Sequence, residues 1–371
     1  MKIYIPILAL SATLFSMQSY AQKSYKQKPL LLAKTEQADY GLSNNWYTRT
    51  WRISPQISND TLKVKLYSNK ENFAFRTDLD SIKFSINRGE TKSFYVKLAD
   101  KEPAYTLITA EPYNWDPISY DTQNKRTDIK QFYQSSNNKY FDSLRTLYPT
   151  AQLIKNNRTD LDKVLNILNW THHQWKHDGG NSPKGSDGIS ILNEAKAGGR
   201  FPCFAYSIVL KDQLIANGFP ARVLYIKTKD AETRKGSPGH VVTEVFLKDI
   251  NKWVFADGQF NVIPTLNGKP LNAVEFQKAL SENYDKLILA SRDKISKRNY
   301  VDFVYDYLYY LDTALDNRNL AANDLFKIDG KRSLMLIPNG APNLTKISFW
   351  NSEVNYCVYT NSIKDFYANP E

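Results

Sequence analysis

Three residues in the middle of this 371-residue chain, Cys203, His240 and Asp257, are of the types that together perform nucleophilic acyl chemistry. A thiol attacks a carbonyl, an imidazole carries the proton, and a carboxylate holds the imidazole in one tautomer. The run Gly198-Gly199-Arg200-Phe201-Pro202-Cys203 leads into an apolar helical pattern that continues through Ala216, and Asn217-Gly218 closes it. A helix starting at Cys203 sets the sulfur against unpaired backbone N–H groups and the positive end of the helix dipole. Both favour an anionic, nucleophilic sulfur, and the same N–H groups can hold the oxyanion of an attacked carbonyl.

The elements around the other two residues follow from patterning. Phe219 to Ile226 reads as a strand, a charged loop with Gly236 and Pro238 follows, and a second strand runs from His240 to Leu247. A turn at about Lys248 to Asn251 then leads into Lys252-Trp253-Val254-Phe255-Ala256-Asp257. This antiparallel hairpin brings His240 and Asp257 to its far end as near neighbours, at the edge of the range of registers the turn permits. Directly paired strand residues lie about 4.5 to 5.5 Å apart at Cα. Spacing therefore supplies an imidazole with its orienting acid. That Cys203 lies beside them does not follow from spacing alone.

The run Gly199, Cys203, Ala205, Gly218-Phe219-Pro220-Ala221-Arg222, Gly239-His240, Glu244-Val245, Trp253 and Asp257 resembles the catalytic core of the transglutaminase-like, papain-like superfamily in secreted bacterial form. The resemblance covers Gly199 to Asp257. It implies Cys203 as nucleophile, His240 as its ion-pair partner and proton shuttle, and Asp257 as the group orienting His240. Val242 and Gly258 stand where many members have an aromatic residue and a proline. The stretch His240-Val241-Val242-Thr243-Glu244-Val245 also looks like the matching part of peptide N-glycanases, which cleave amides of glycosylated asparagine. The implied activity is thiol-dependent hydrolysis or acyl transfer at amide bonds of a protein, peptide or glycopeptide, with no cofactor. The alternative is a catalytically inactive envelope protein that binds peptides or glycans.

Further residues are weighed around this centre. Trp175, like Trp170, could give an indole N–H to the oxyanion as a tryptophan does in some relatives, although aromatic residues on a helix usually pack a core. Glu244 shares a strand face with His240, and Gln259 follows Asp257, so either could touch substrate. His173 and His177 share a helix face at four-residue spacing, but no zincin glutamate, cysteine pair or evident third ligand accompanies them, so no metal is assigned. Cys357 stands in a late strand-like segment with no acid or base pattern, which fits packing.

The chain divides accordingly. Residues 1–21 combine Lys2, an apolar run from Ile3 to Phe15 and Ser19-Tyr20-Ala21, the pattern of a signal peptide cleaved after Ala21. The run is shorter than the roughly 20 apolar residues needed to span a bilayer, so the mature chain is expected to be exported, periplasmic or extracellular, with no integral membrane span. After an N-terminal segment, 22–45, residues 46–112 alternate apolar and polar side chains in short runs and form an all-β accessory domain, with Asn87-Arg88-Gly89 turning a hairpin between Ile86 and Ser93. A connector with a helix over Ile129 to Leu147 occupies 113–150. The catalytic domain takes 151–270, with a helix over Leu161 to Trp175, and 271–371 is a helical and strand extension with helices at Ala273 to Ser291 and Tyr300 to Leu315. The fold class is α+β.

Two cysteines are too few for a disulfide framework. The net charge of +11 is spread among acidic residues with no recognised nucleic-acid module, which gives a basic surface suited to acidic glycans or envelope surfaces and argues against nucleic acid. The sequence leaves the oligomeric state open.

Overall fold

The structure, a computed structural model, describes residues 23–43, 45–54 and 60–370, so the signal-peptide reading of 1–21 lies outside the described residues. Among the described residues no helix is long and apolar enough to cross a membrane. Contacts divide the chain between Tyr113 and Asn114.

The first unit is all β. Its strands are β1 (Ser24–Tyr25), β2 (Lys28–Ala33), β3 (Gln37–Leu42), β4 (Asn45–Arg52), β5 (Asp60–Leu66), β6 (Lys70–Arg76), β7 (Ser81–Asn87), β8 (Thr91–Leu98) and β9 (Ala104–Pro112). They form two sheets, β1-β2-β8-β9-β5 and β4-β3-β6-β7, whose inner faces share one core. Strands therefore begin at Ser24, well before residue 46, and the N-terminal segment belongs to the sandwich. The expected hairpin at Asn87-Arg88-Gly89 does not form. β7 pairs with β6, while β8 pairs with β2 and β9, so this turn, with Gly89 at a φ of 77°, carries the chain from one sheet to the other. Strands with one buried face need an opposing layer. Ile86 and Phe94 meet that need from opposite sheets.

The second unit contains α1 (Lys139–Leu147), α2 (Ala151–Ile154), α3 (Asp160–His172), α4 (Gly188–Lys196), α5 (Cys203–Ala216), α6 (Ala273–Asn283), α7 (Lys297–Val304) and α8 (Ile363–Phe366). Its strands are β10 (Ala221–Lys227), β11 (Gly239–Leu247), β12 (Lys252–Ala256), β13 (Ile263–Leu266), β14 (Lys269–Pro270), β15 (Leu287–Ala290), β16 (Tyr310–Ala314), β17 (Ser333–Leu336), β18 (Lys346–Ile347), β19 (Ser352–Glu353) and β20 (Cys357–Thr360). A six-stranded sheet in the order β12-β11-β10-β16-β17-β20 forms its centre, and α5 packs against β10 and β11.

Half of that sheet comes from beyond residue 300, so the C-terminal segment completes the core instead of extending it. The helices expected over Tyr300 to Leu315 and Ala273 to Ser291 are cut short, because Tyr310–Ala314 and Leu287–Ala290 become strands. Both strand segments have partners waiting, β10 and β13, and ladder pairing across a buried sheet overrides a local helical period. The helix expected over Ile129 to Leu147 begins only at Lys139, where the Asn138 side chain accepts the Phe141 N–H and caps it. Phe132, upstream, makes a bridge with Asp316 instead. α3 begins as expected, capped by Thr159, but ends at His172, short of Trp175.

Candidate active site

α5 is apolar almost all round and buried over most of its 14 residues, as a helix enclosed between a sheet and other helices must be. Cys203 is its first residue, preceded by Pro202 in extended conformation, and is partly exposed. In the first turn the N–H groups of Cys203 and Phe204 have no carbonyl partner inside the helix. The far end stops as a Schellman turn. Phe219 N–H donates to the Leu214 carbonyl at 3.0 Å and Gly218 N–H to that of Ile215 at 2.9 Å, with Gly218 at a φ of 85°.

The hairpin of β11 and β12 places the other two residues. Thr243 lies opposite Ala256, so Asp257 continues to a position facing Val242, and His240 is its diagonal neighbour on the same face. The register is thus shifted from direct pairing of His240 with Asp257. Diagonal neighbours remain within reach of long side chains, and His240 Nε2 meets Asp257 Oδ2 at 2.8 Å. Both side chains are buried. The Cys203 thiol lies near enough to the same imidazole to act on its protonation. Since Nε2 is taken by Asp257, Nδ1 is the nitrogen left for the sulfur.

Asp257 is held on all sides. Its Oδ1 accepts the backbone N–H groups of Gln259 and Phe260 at 3.0 and 3.1 Å, and its Oδ2 also accepts the Tyr300 hydroxyl at 3.0 Å. Burial by itself would push the His240 imidazole down. The charge and hydrogen bond of Asp257 outweigh it, Cys203 adds to them, and the imidazole is pushed up to about 9. Around the ring stand Phe303 at 5.0 Å, Phe260 at 6.1 Å and Tyr307 at 6.1 Å between centroids. The arrangement can attack a carbonyl with sulfur, donate a proton from imidazolium and keep that imidazolium charged near neutral pH.

Residues 149–258 match the sequence model of the Transglutaminase-like superfamily. The chain carries a transglutaminase-like core. The matched stretch contains Cys203, His240 and Asp257. No curated protein matches this chain. Among solved structures, one named a "Putative Cysteine Protease" from Cytophaga hutchinsonii aligns at 16% identity with a TM-score of 0.27, covering 47% of this chain and 56% of that chain.

The remaining sequence candidates fall differently. Glu244 is fully buried and paired with Arg222, which donates to its Oε2 through Nε at 3.1 Å and Nη2 at 2.7 Å, while the Tyr367 hydroxyl donates to Oε1 at 2.8 Å. It braces the sheet against the C-terminal segment and does not face the thiol. Trp175 donates its indole N–H to the Phe201 carbonyl at 3.3 Å and packs on Tyr206, so the indole supports the start of α5 from below. Gln259 contributes through its backbone N–H. His173 and His177 do not share a helix face, because α3 ends at His172, before both of them. His177 lies near the His240 imidazole, and partial burial followed by the charge of His240 pushes its own imidazole down. Cys357 is buried in the core with Tyr310, Met335 and Leu344, and burial pushes its thiol up.

Three contributors escape sequence reading. Tyr300 is distant along the chain and sits inside a helix pattern. Ser207 lies one turn after Cys203, its hydroxyl donating to the Val241 carbonyl at 2.8 Å, with no motif to flag it. Trp350 is half-exposed on the tip between β18 and β19, where a Cβ at Gly239 would come within 3.0 Å of its ring. The charged loop between Lys227 and Gly239 is tied down: Ala231 is buried, and Glu232 accepts the Thr345 N–H at 3.1 Å and the Ser348 hydroxyl through its carbonyl.

Proposed function

We propose that the chain is a thiol-dependent enzyme acting on amide bonds of proteins, peptides or glycopeptides, with hydrolysis as its main outcome. The Cys203 sulfur attacks the amide carbonyl carbon, and the N–H groups of Cys203 and Phe204 receive the negative oxygen. His240 then gives its Nδ1 proton to the amide nitrogen as the C–N bond breaks, leaving a thioester on Cys203 and a free amine. Water loses a proton to His240 and attacks the thioester. The C–S bond breaks, releasing a carboxylic acid and restoring the thiolate. An amine in place of water gives transfer. Asp257 keeps Nε2–H directed at itself throughout, so Nδ1 is the working nitrogen.

One observation carries this reading: an imidazole clamped at 2.8 Å by a buried carboxylate lies near a thiol at a helix start. The transglutaminase-like match over the same residues supports it. Tyr225, half-exposed on β10 opposite Val241, together with Tyr307 and Trp350, forms the wall along which substrate approaches. The signal-like N terminus supports export of this activity, with cleavage after Ala21; the first residue of secreted material, read by terminal sequencing, checks that.

The deciding experiment compares the mature protein with Cys203→Ala. A panel of peptides, cell-wall fragments and glycopeptides is offered, and intact mass is followed for an acyl adduct. The expected result is an adduct and amine release with the parent only, together with rapid iodoacetamide labelling of Cys203 at about pH 6 while Cys357 stays unlabelled. If the two proteins react alike with iodoacetamide and neither releases amine, the enzyme reading fails and a peptide- or glycan-binding role replaces it.

A further inference from the structure

We infer that His172, His173 and Asp293 form a binding site for a divalent transition-metal ion, zinc by preference, directly behind the turn that holds Asp257. One ligand atom from each residue lies within 4.8 Å of the others, and His173 Nε2 is 3.6 Å from Asp293 Oδ2. Four ligands around zinc at about 2.0–2.1 Å stand about 3.3 Å apart, so small side-chain adjustments close the shell.

The surroundings are those of a ligand set. His172 Nδ1 rests on the Gly258 carbonyl at 3.2 Å and His173 Nδ1 on the Asn169 carbonyl at 2.8 Å. A carbonyl can only accept, so in the neutral rings both Nδ1 atoms carry the proton and both Nε2 atoms are bare donors to a metal. This is the outer hydrogen bond that metal-bound histidines characteristically make. Asp293 is oriented as well: Asn261 Nδ2 donates to its Oδ2 at 2.8 Å and Ser291 Oγ accepts its backbone N–H at 3.0 Å. Asn261 is fully buried, and the oxygen of the same carboxamide meets no donor among the described residues. Two imidazoles and one carboxylate suit zinc or a neighbouring first-row ion and disfavour calcium and magnesium. His173 and Asp293 are exposed, which leaves a path for entry.

Adjacent histidines on a helix point about 100° apart, so they do not read as a pair in sequence. Here α3 ends at His172, and the two rings stand 4.9 Å apart at 89°. The third ligand arrives from the loop after β15. An ion here would link the end of α3 to that loop and, through the Gly258 carbonyl, to the turn carrying Asp257.

The test uses the full mature chain carrying Cys203→Ala, so that no active-site thiol competes and the outcome is independent of the proposed enzyme activity. Zinc binding is measured by titration calorimetry, cobalt(II) by its visible spectrum, and unfolding temperature with and without zinc. The expected result is one equivalent bound, nitrogen- and oxygen-type cobalt bands without thiolate charge transfer, a raised unfolding temperature, and at least about a tenfold loss of affinity in both His173→Ala and Asp293→Asn. His177→Ala should bind as its parent does. Absence of saturable binding, affinity unchanged by His173→Ala and Asp293→Asn, dependence on His177, or equal competition by calcium would each overturn the assignment.

Discussion

Ser207 Oγ donates to the carbonyl oxygen of Val241 at 2.8 Å, and Thr243 Oγ1 donates back to the Ser207 carbonyl at 3.2 Å. Ser207 lies one helical turn from Cys203, and Val241 follows His240, so this pair of bonds sets how far the sulfur stands from the ring.

Ser207→Ala removes this part-buried hydrogen bond and frees that separation. The expected cost is about 0.5 to 1.5 kcal/mol of stability, with a fall in kcat larger than any rise in KM. Urea unfolding and steady-state kinetics check it. Unchanged kcat would show that the helix keeps its distance without this bond.

His240 makes stability and activity depend on pH with a definite sign. Its imidazole titrates at about 9 when folded against an ordinary 6.5, so it stabilises most fully below pH 6.5 and loses that contribution as pH rises through 9. The contribution is of order 3 kcal/mol. Activity should fall through the same basic limb, because a neutral imidazole cannot protonate the leaving amine. In Asp257→Asn both the limb and the stability slope between pH 6.5 and 9 are expected to shift to lower pH, as thermal unfolding and pH–rate profiles would record.

Tyr300 donates to the same Oδ2 that receives His240. Tyr300→Phe removes a hydrogen bond to a charged acceptor and should cost about 1.5 to 3 kcal/mol, with kcat reduced about tenfold and KM little changed. A variant of parental activity would confine Tyr300 to packing.

Arg222 is buried completely, paired with Glu244 and layered on Trp253 at 4.5 Å. Arg222→Ala leaves Glu244 charged in the interior with no cation, held only by the Tyr367 hydroxyl and the Ala273 N–H, for an expected loss of about 3 to 5 kcal/mol. The fraction that folds should retain thiol reactivity. Loss of reactivity in well-folded Arg222→Ala protein would return Glu244 to the active site.

Trp350→Ala removes an exposed ring that shields nothing deep. Unfolding temperature should hold steady while KM for peptide substrates rises several-fold, because burying an aromatic face contributes to binding. Equal KM would move the substrate path away from Gly239.

The elements around the candidate site are the most legible part of the sequence, because each of them is specified over a short range. Pro202 and Asn217-Gly218 bracket α5 by backbone preference alone, and period-two patterning with one turn folds β11 onto β12. Local patterning cannot say which sheet edge a strand will find. Leu287–Ala290 and Tyr310–Ala314 read as helix and became strands because β13 and β10 offered unpaired backbone, and the turn at Asn87 joined two sheets because each strand needed a facing layer. The same limit hid Tyr300, Ser207 and Asp293, whose roles exist only once segments far apart in the chain are packed together. Residue order determined a helix opening at a thiol and a folded ribbon carrying an imidazole and an acid. Burial of apolar faces, which acts without regard to distance along the chain, decided how those parts meet.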